Sequence, residues 1–485
     1  MRTGLSNRAA ILVISVVVAL AYAPTWLAHY AFADDYSLLD QSQHGSLYYY
    51  QQIIAAGRSL SAIGLRFMLH FSRTVNSLEP WHLISVAGIV FTSCLAWLAL
   101  SRRGLSPVVA LAVSLFLCSL PAFQVYAAWG VAFLYPWGCV LGGLAVFVLD
   151  GYLWMSLRTW PRYVIGGLLL LAGLQVYQSA ALFYWVFVGI SLLVAETTAL
   201  EFGRAAVRYI VVAAASLVAE FILATALPAA IHDPVSMASH KKLLAVGQIG
   251  AKARWFFGHP LRDSLNLVVL LPRDWIAVLV ALFITAGLLL YLRDTPWVRV
   301  GKVAVAWLAL PVAYLPNLVI ALDAPAYRAQ APLVGLIGLY FCLAVVGMGR
   351  GRWRPLVPAA LSIVAVVAVG IACYNVLMEF AVPQAVEYAV LASDLRPATV
   401  AHATSVYFIP PTWQDRVAPF IRTDEFGEPS SLPTWNDGPM VYVVLHATDP
   451  AKDNIPVTVD TTPKADPPNG ALVVDMSTLW QYRLP

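Results

Sequence analysis

Gln175-Val176-Tyr177-Gln178-Ser179 interrupts an apolar run that extends from residue 163 to residue 196. Read as one helix, that run would reach about 50 Å at 1.5 Å per residue, against a hydrocarbon core of about 30 Å. A break at the polar cluster gives two spans, 163–176 and 179–196, joined by a hairpin on the outer face. The break sets the parity of every later segment, and so the side on which the C-terminus lies.

Further apolar runs fall near 10–29, 81–100, 105–121, 131–155, 209–231, 274–292, 302–322, 331–349 and 356–377, which predicts about eleven spans. The composition agrees: 60% of residues are hydrophobic and 12% charged, with a mean hydropathy of +0.73. Each short connection on the N-terminal side carries at least two cations, among them Arg102 and Arg103, Arg158 and Arg162, Arg204 and Arg208, Arg293 and Arg299, and Arg350, Arg352 and Arg354. The positive-inside rule makes that side cytoplasmic. Ala31-Phe32-Ala33 resembles a signal-peptide cleavage site, but the apolar run before it is long for a signal core, so the first segment is read as a retained anchor.

The charge is asymmetric. Residues 380–485 hold 12 acidic and 6 basic side chains and 14 of the 31 prolines, against 14 acidic and 24 basic before them. The expected organisation is an all-α polytopic membrane domain over 1–379, with long outer loops at 30–80 and 232–273, followed by a small α/β extracytoplasmic domain over 380–485. In the tail, 383–395 reads as a helix, and 404–409, 440–446 and 471–475 read as strands. The five cysteines all lie in apolar runs, so neither a disulfide framework nor a zinc spacing is present.

Ala33-Asp34-Asp35-Tyr36 follows the first span directly. Two adjacent carboxylates at a membrane edge are costly to desolvate and point to chemistry, although paired acids also cap helices or stay solvated. Cations on the outer side run against the positive-inside rule. They cluster in the two long loops, as Arg58, Arg66 and Arg73 and then Lys241, Lys242, Lys252, Arg254, Arg262 and Arg273, with Arg328 in a short turn. Cations beside amphipathic, aromatic-rich segments suit a ligand with a phosphate head and a hydrocarbon tail. Contact with anionic headgroups is the plainer reading for any one of them. Among ionisable residues within spans, Glu220 is the clear candidate for a transport role.

The acid motif, together with Ala56-Gly57-Arg58-Ser59-Leu60, Tyr177-Gln178-Ser179-Ala180 and Tyr327-Arg328, resembles the multi-pass GT-C glycosyltransferases, most closely the bacterial O-antigen glucosyltransferase type. Thr423-Asp424-Glu425-Phe426-Gly427 is similar to tails of some bacterial relatives, without an assigned role. The resemblance implies an inner-membrane enzyme that takes a sugar from a polyprenyl-phosphate donor at the outer leaflet. The acceptor would be a cell-envelope glycan or lipid-linked oligosaccharide.

A sugar hydroxyl needs a base, which Asp34 or Asp35 would supply, and a departing phosphate needs fixed cations. Arg58, Lys241, Arg254 and Arg328 are the candidates to hold that phosphate; Tyr36, Tyr177 and Gln178 are candidates for the sugar or acceptor. No loop offers a transition-metal constellation and no cofactor is expected, though paired carboxylates also suit a divalent ion at Asp34/Asp35. A polysaccharide polymerase or ligase and a lipid-linked glycan transporter are the alternatives. Scattered basic residues and the absence of a glycine-rich phosphate loop argue against nucleic acid and nucleotide partners.

Overall fold

The computed structural model describes residues 6–153, 158–194, 198–231, 242–323, 326–412, 423–433, 435–452, 454–460 and 467–481. Its helices, in order, are α1 (Asn7–Ala21), α2 (Ala23–Leu27), α3 (Asp34–His44), α4 (Tyr48–Ala55), α5 (Ser59–Phe71), α6 (Glu79–Arg102), α7 (Pro107–Leu117), α8 (Pro121–Ala128), α9 (Tyr135–Leu149), α10 (Thr159–Val176), α11 (Gln178–Ala181), α12 (Tyr184–Gly189) and α13 (Ala199–Ala230). They continue as α14 (Ile249–Gly258), α15 (Pro260–Leu265), α16 (Asp274–Tyr291), α17 (Pro296–Ala313), α18 (Ala331–Met348), α19 (Val357–Asn375), α20 (Val382–Asp394) and α21 (Asp437–Thr448).

Among the described residues, seven helices are long and apolar enough to cross a membrane, or eight if the bent pair α7–α8 is one span. That is fewer than the expected eleven, and local chemistry explains the difference. The first segment breaks at Tyr22, where Pro24 begins a new turn. The 179–196 segment is divided into short helical pieces that end in a π-helical turn at Ile190–Val194. The 163–176 segment does form one helix, α10, but Trp160, Pro161, Arg162 and Gln175 lower its hydropathy.

The bend of 60° between α7 and α8 falls at Pro121, whose missing N–H and ring prevent the helix from continuing through it. Every residue of α8 is buried. Its direction matters, because α8 delivers the turn Trp129-Gly130-Val131 to the first outer segment.

The segment after α2 folds as α3, α4 and α5, three helices where the amphipathic pattern suggests one or two. Ala33, the residue before α3, has φ +48°, a strained conformation for a side chain with a Cβ. Its N–H donates to Ser430 Oγ at 2.7 Å, so the tail fixes the entry to α3.

The tail forms β1 (Ser405–Ile409), β2 (Val457–Val459) and β3 (Ala471–Asp475), a parallel sheet in the order β2-β1-β3. The predicted strand at 440–446 is instead inside α21, which crosses between β1 and β2. A short apolar run cannot separate a buried strand from a buried helix by periodicity alone. Here Met440, Val441, Val443, Val444 and Leu445 are all buried, because α21 lies between the sheet and α3. The helix α20 continues from α19 through a π-helical turn at Val376–Ala381, so the chain enters the tail without leaving helical structure.

Candidate functional site

The acid pair divides into two roles. Asp35 is fully buried and accepts three backbone hydrogen bonds, from Phe32 at 3.0 Å, Gly130 at 3.1 Å and Val131 at 2.8 Å. Burial pushes its carboxyl up to about 7 despite those three donors, and the Asp34 charge adds to the rise. Its oxygens face the protein backbone, so it works as an anchor tying α3 to the end of α8. Gly130 has a packing reason: a Cβ there would lie 2.8 Å from Asp35 Oδ1.

Asp34 is half-buried, one residue earlier on the first turn of α3. Tyr49 donates its hydroxyl to Oδ2 at 3.2 Å, and Trp435 of the tail also hydrogen-bonds the carboxylate. Burial raises its pKa, while Arg328, Tyr49, Trp435 and Arg58 pull it back toward the ordinary range. Both guanidinium groups are therefore electrostatic neighbours of this carboxylate.

Arg58 is held on three sides. Its Nε donates to Gln178 Oε1 at 3.3 Å, its Nη1 to the Tyr135 hydroxyl at 3.5 Å, and its guanidinium lies 4.6 Å from the centre of the Tyr177 ring. Tyr177 stacks in turn on Tyr135, with ring centres 4.1 Å apart. The Gln178 amide donates to the Gly57 carbonyl at 3.2 Å and to Glu220 Oε1 at 3.0 Å, and Gln175 holds the other Glu220 oxygen. Gly57 needs to be glycine, with φ +78° and Ala224 Cβ only 2.7 Å from where its own Cβ would be.

Arg328 lies 4.8 Å above the Trp129 ring and donates from Nη1 to Glu425 Oε1 at 2.6 Å. The backbone N–H of Tyr327 donates to Glu425 Oε2 at 3.1 Å and to Asp424. Burial and the Glu425 charge raise Asp424 well above the carboxylate range. Burial acts the same way on Glu425, but the hydrogen bond from Asp424 and the Arg328 guanidinium outweigh it and keep that group ionised.

The structure thus brings together Asp34, Arg58 and Arg328, with Tyr177 and Gln178 in direct contact with Arg58. Tyr36 is a correction. It is fully buried on the side of Glu387 and Tyr388, with no surface left for an acceptor. Arg254 is exposed on α14. On the same helix it is Lys252 that is buried, bonded to Asp323 at 2.7 Å and to the Leu322 carbonyl at 2.8 Å, with its ammonium 4.1 Å from the Trp255 ring centre. Lys241 lies outside the described residues.

Tyr49, Trp129, Tyr135 and the Asp424–Glu425 pair were not predicted as site residues. Of the tail aromatics, Trp435 reads from sequence as either a core residue or a sugar-stacking one, and the structure leaves it exposed. Among the described residues, no group of three or more His, Cys, Asp or Glu side chains could hold a metal ion. No family model matches the chain, and no curated protein matches it.

Proposed function

We propose that the chain is an inverting glycosyltransferase of the GT-C type, which transfers a sugar from a polyprenyl-phosphate carrier to a cell-envelope glycan at the outer face of the bacterial inner membrane. One observation carries the reading: the half-buried Asp34 carboxylate shares its surroundings with two guanidinium groups, Arg58 and Arg328, that come from distant parts of the chain. In this reading Asp34 is the base and Asp35 the anchor, because Asp35 spends its oxygens on backbone donors.

The acceptor oxygen attacks the anomeric carbon from the face opposite the lipid phosphate, and its proton passes to Asp34. The bond from the anomeric carbon to the phosphate oxygen breaks, and its electron pair leaves with the phosphate. Arg58 and Arg328 meet that charge with planar donor pairs, and aromatic rings behind each one keep their side chains in place. A raised Asp34 pKa makes it a stronger base once it is ionised.

In the same reading, the shorter helices α1–α2, α10 and α11–α12 also cross, which brings the number of spans to eleven with the N-terminus cytoplasmic and the tail outside. Glu220 is clamped by two amide donors, which disfavours a transporter in which it would load and release an ion. The test is transfer of labelled sugar from a synthetic polyprenyl-phosphate donor in membranes containing Asp34→Asn. Loss of transfer by about 10²–10⁴-fold is expected for removal of a general base; transfer at the rate of the unmodified protein would overturn the assignment.

A further inference from the structure

A charged cavity lies near the end of α6 that is far from the acid site. The helix α6 starts at Glu79, which hydrogen-bonds His29 near the acid site, and its 24 residues carry it about 36 Å to Arg102. Beyond that end lies a cavity of about 1170 Å³ lined by Arg103, Arg293, Lys302, Arg350 and Arg354. They come from four places in the chain: the end of α6, the end of α16, the start of α17 and the segment between α18 and α19.

Several of these cations are fixed by their neighbours. Lys302 is buried and bonds both oxygens of Asp294, at 2.9 and 3.0 Å. Arg103 pairs with Asp150 at 2.6 Å. The Arg350 guanidinium caps the C-terminal end of α16 by donating to the Leu290 and Tyr291 carbonyls. Asp294 is the one carboxylate in the described lining, against five cations. The rest of the wall includes the apolar side chains of Leu105, Val109, Val346 and Val357.

We propose that this cavity binds a phosphate-bearing anion, with the head group of an anionic glycerophospholipid as its occupant. The positive-inside rule accounts for cations scattered through loops on this side, but it does not require them to surround one space. Arg103 and Lys302 already hold carboxylates, and a phosphate in the space between the guanidinium groups would accept charge-assisted hydrogen bonds from them. Basic pockets between membrane helices at this level suit phosphate head groups, and the apolar wall gives the glycerol backbone and upper acyl chain a dry surface. The inference uses no residue of the acid site and is independent of the glycosyltransferase reading.

The experiment uses the purified full-length protein in neutral detergent. Thermal midpoints are followed while dioleoylphosphatidylglycerol, dioleoylphosphatidylcholine or sodium pyrophosphate is added. The double variant Arg293→Gln/Arg354→Gln removes two exposed cations of the lining. Arg66→Gln/Arg73→Gln removes two exposed cations from the first outer segment as a control.

Stabilisation by phosphatidylglycerol but not phosphatidylcholine is expected. At least roughly tenfold more phosphatidylglycerol should be needed for the first variant, and no more for the control. Pyrophosphate acting as well as the lipid, with the same dependence on Arg293 and Arg354, would support the site and assign it to soluble phosphates. Equal responses to the two lipids, or equal losses in both variants, would overturn the proposal.

Discussion

Exchanging Asp35 for Asn separates the anchor from the base. The amide keeps the size of the carboxyl but offers one acceptor oxygen where two are used: Oδ2 receives Phe32 and Gly130, and Oδ1 receives Val131. The best fit places the amide oxygen at Oδ2 and turns the NH₂ toward the Val131 N–H, donor against donor. A lost hydrogen bond to an ionised partner costs about 1.5–3 kcal/mol, and an orphaned buried donor about 1–3 kcal/mol. Both figures include the same Val131 N–H, and the amide escapes the desolvation that raises the Asp35 carboxyl, so a net loss of about 1–2 kcal/mol is expected.

The assay is the thermal midpoint of the purified protein at pH 8, where the ionised form prevails in a group that titrates at about 7. Asp35→Asn should lower the midpoint by several degrees. Asp34→Asn, which alters a half-buried group with a single Tyr49 contact and a Trp435 contact, should change it much less while abolishing transfer. If Asp35→Asn melts with the unmodified protein, or if Asp34→Asn melts earlier than Asp35→Asn, the division of roles fails.

Gly130→Ala should destabilise by about 1–3 kcal/mol, because the new methyl must displace the Asp35 carboxylate from 2.8 Å; an unchanged midpoint would show that the contact yields freely. Glu425→Gln removes the counter-charge of the partly exposed Arg328 and should cost about 1–3 kcal/mol, a loss that high salt reduces only in part, as urea titration would show. The rate of transfer should rise with pH through a value above the usual carboxylate range, because Asp34 must lose its proton to act and burial holds that proton on; a flat profile would exclude it as base.

Asp437 provides a stability test. It is fully buried, its oxygens have no hydrogen-bond partner among the described residues, and burial together with Glu387 pushes it up to about 8. Its folded value lies above an ordinary value of about 3.9, so stability falls as pH rises toward and through 8. Asp437→Asn should therefore gain on the unmodified protein as pH rises from about 4 to about 8 and gain no more above that, as paired thermal scans would measure.

The parts of the site that depend on local chemistry were legible in the sequence. The acid pair after the first span, Gly57-Arg58 at a turn, and Tyr177-Gln178 at a polar break each stand out against apolar surroundings, and they meet in the fold. What sequence spacing could not show is which backbone would claim which carboxylate. Asp35 becomes an anchor only because Pro121 bends α7–α8 and brings Gly130 and Val131 to it from 95 and 96 positions away. Tyr36 looked available because it adjoins the acids, but helical geometry turns it to the opposite side, toward α20. The run around Val441 misled for another reason, since burial on both of its sides removes the alternation by which helix and strand differ.

The Asp424–Glu425 turn has a consequence for how this protein can vary. The Arg328 guanidinium takes its counter-ion from a segment almost a hundred positions downstream. Changes around Asp424 and Glu425 therefore reach the cation directly, without any alteration to the helices next to it. Lengthening, shortening or exchanging that segment would alter the pairing of Arg328 and, with it, under the proposed function, how firmly a donor phosphate must compete for the guanidinium.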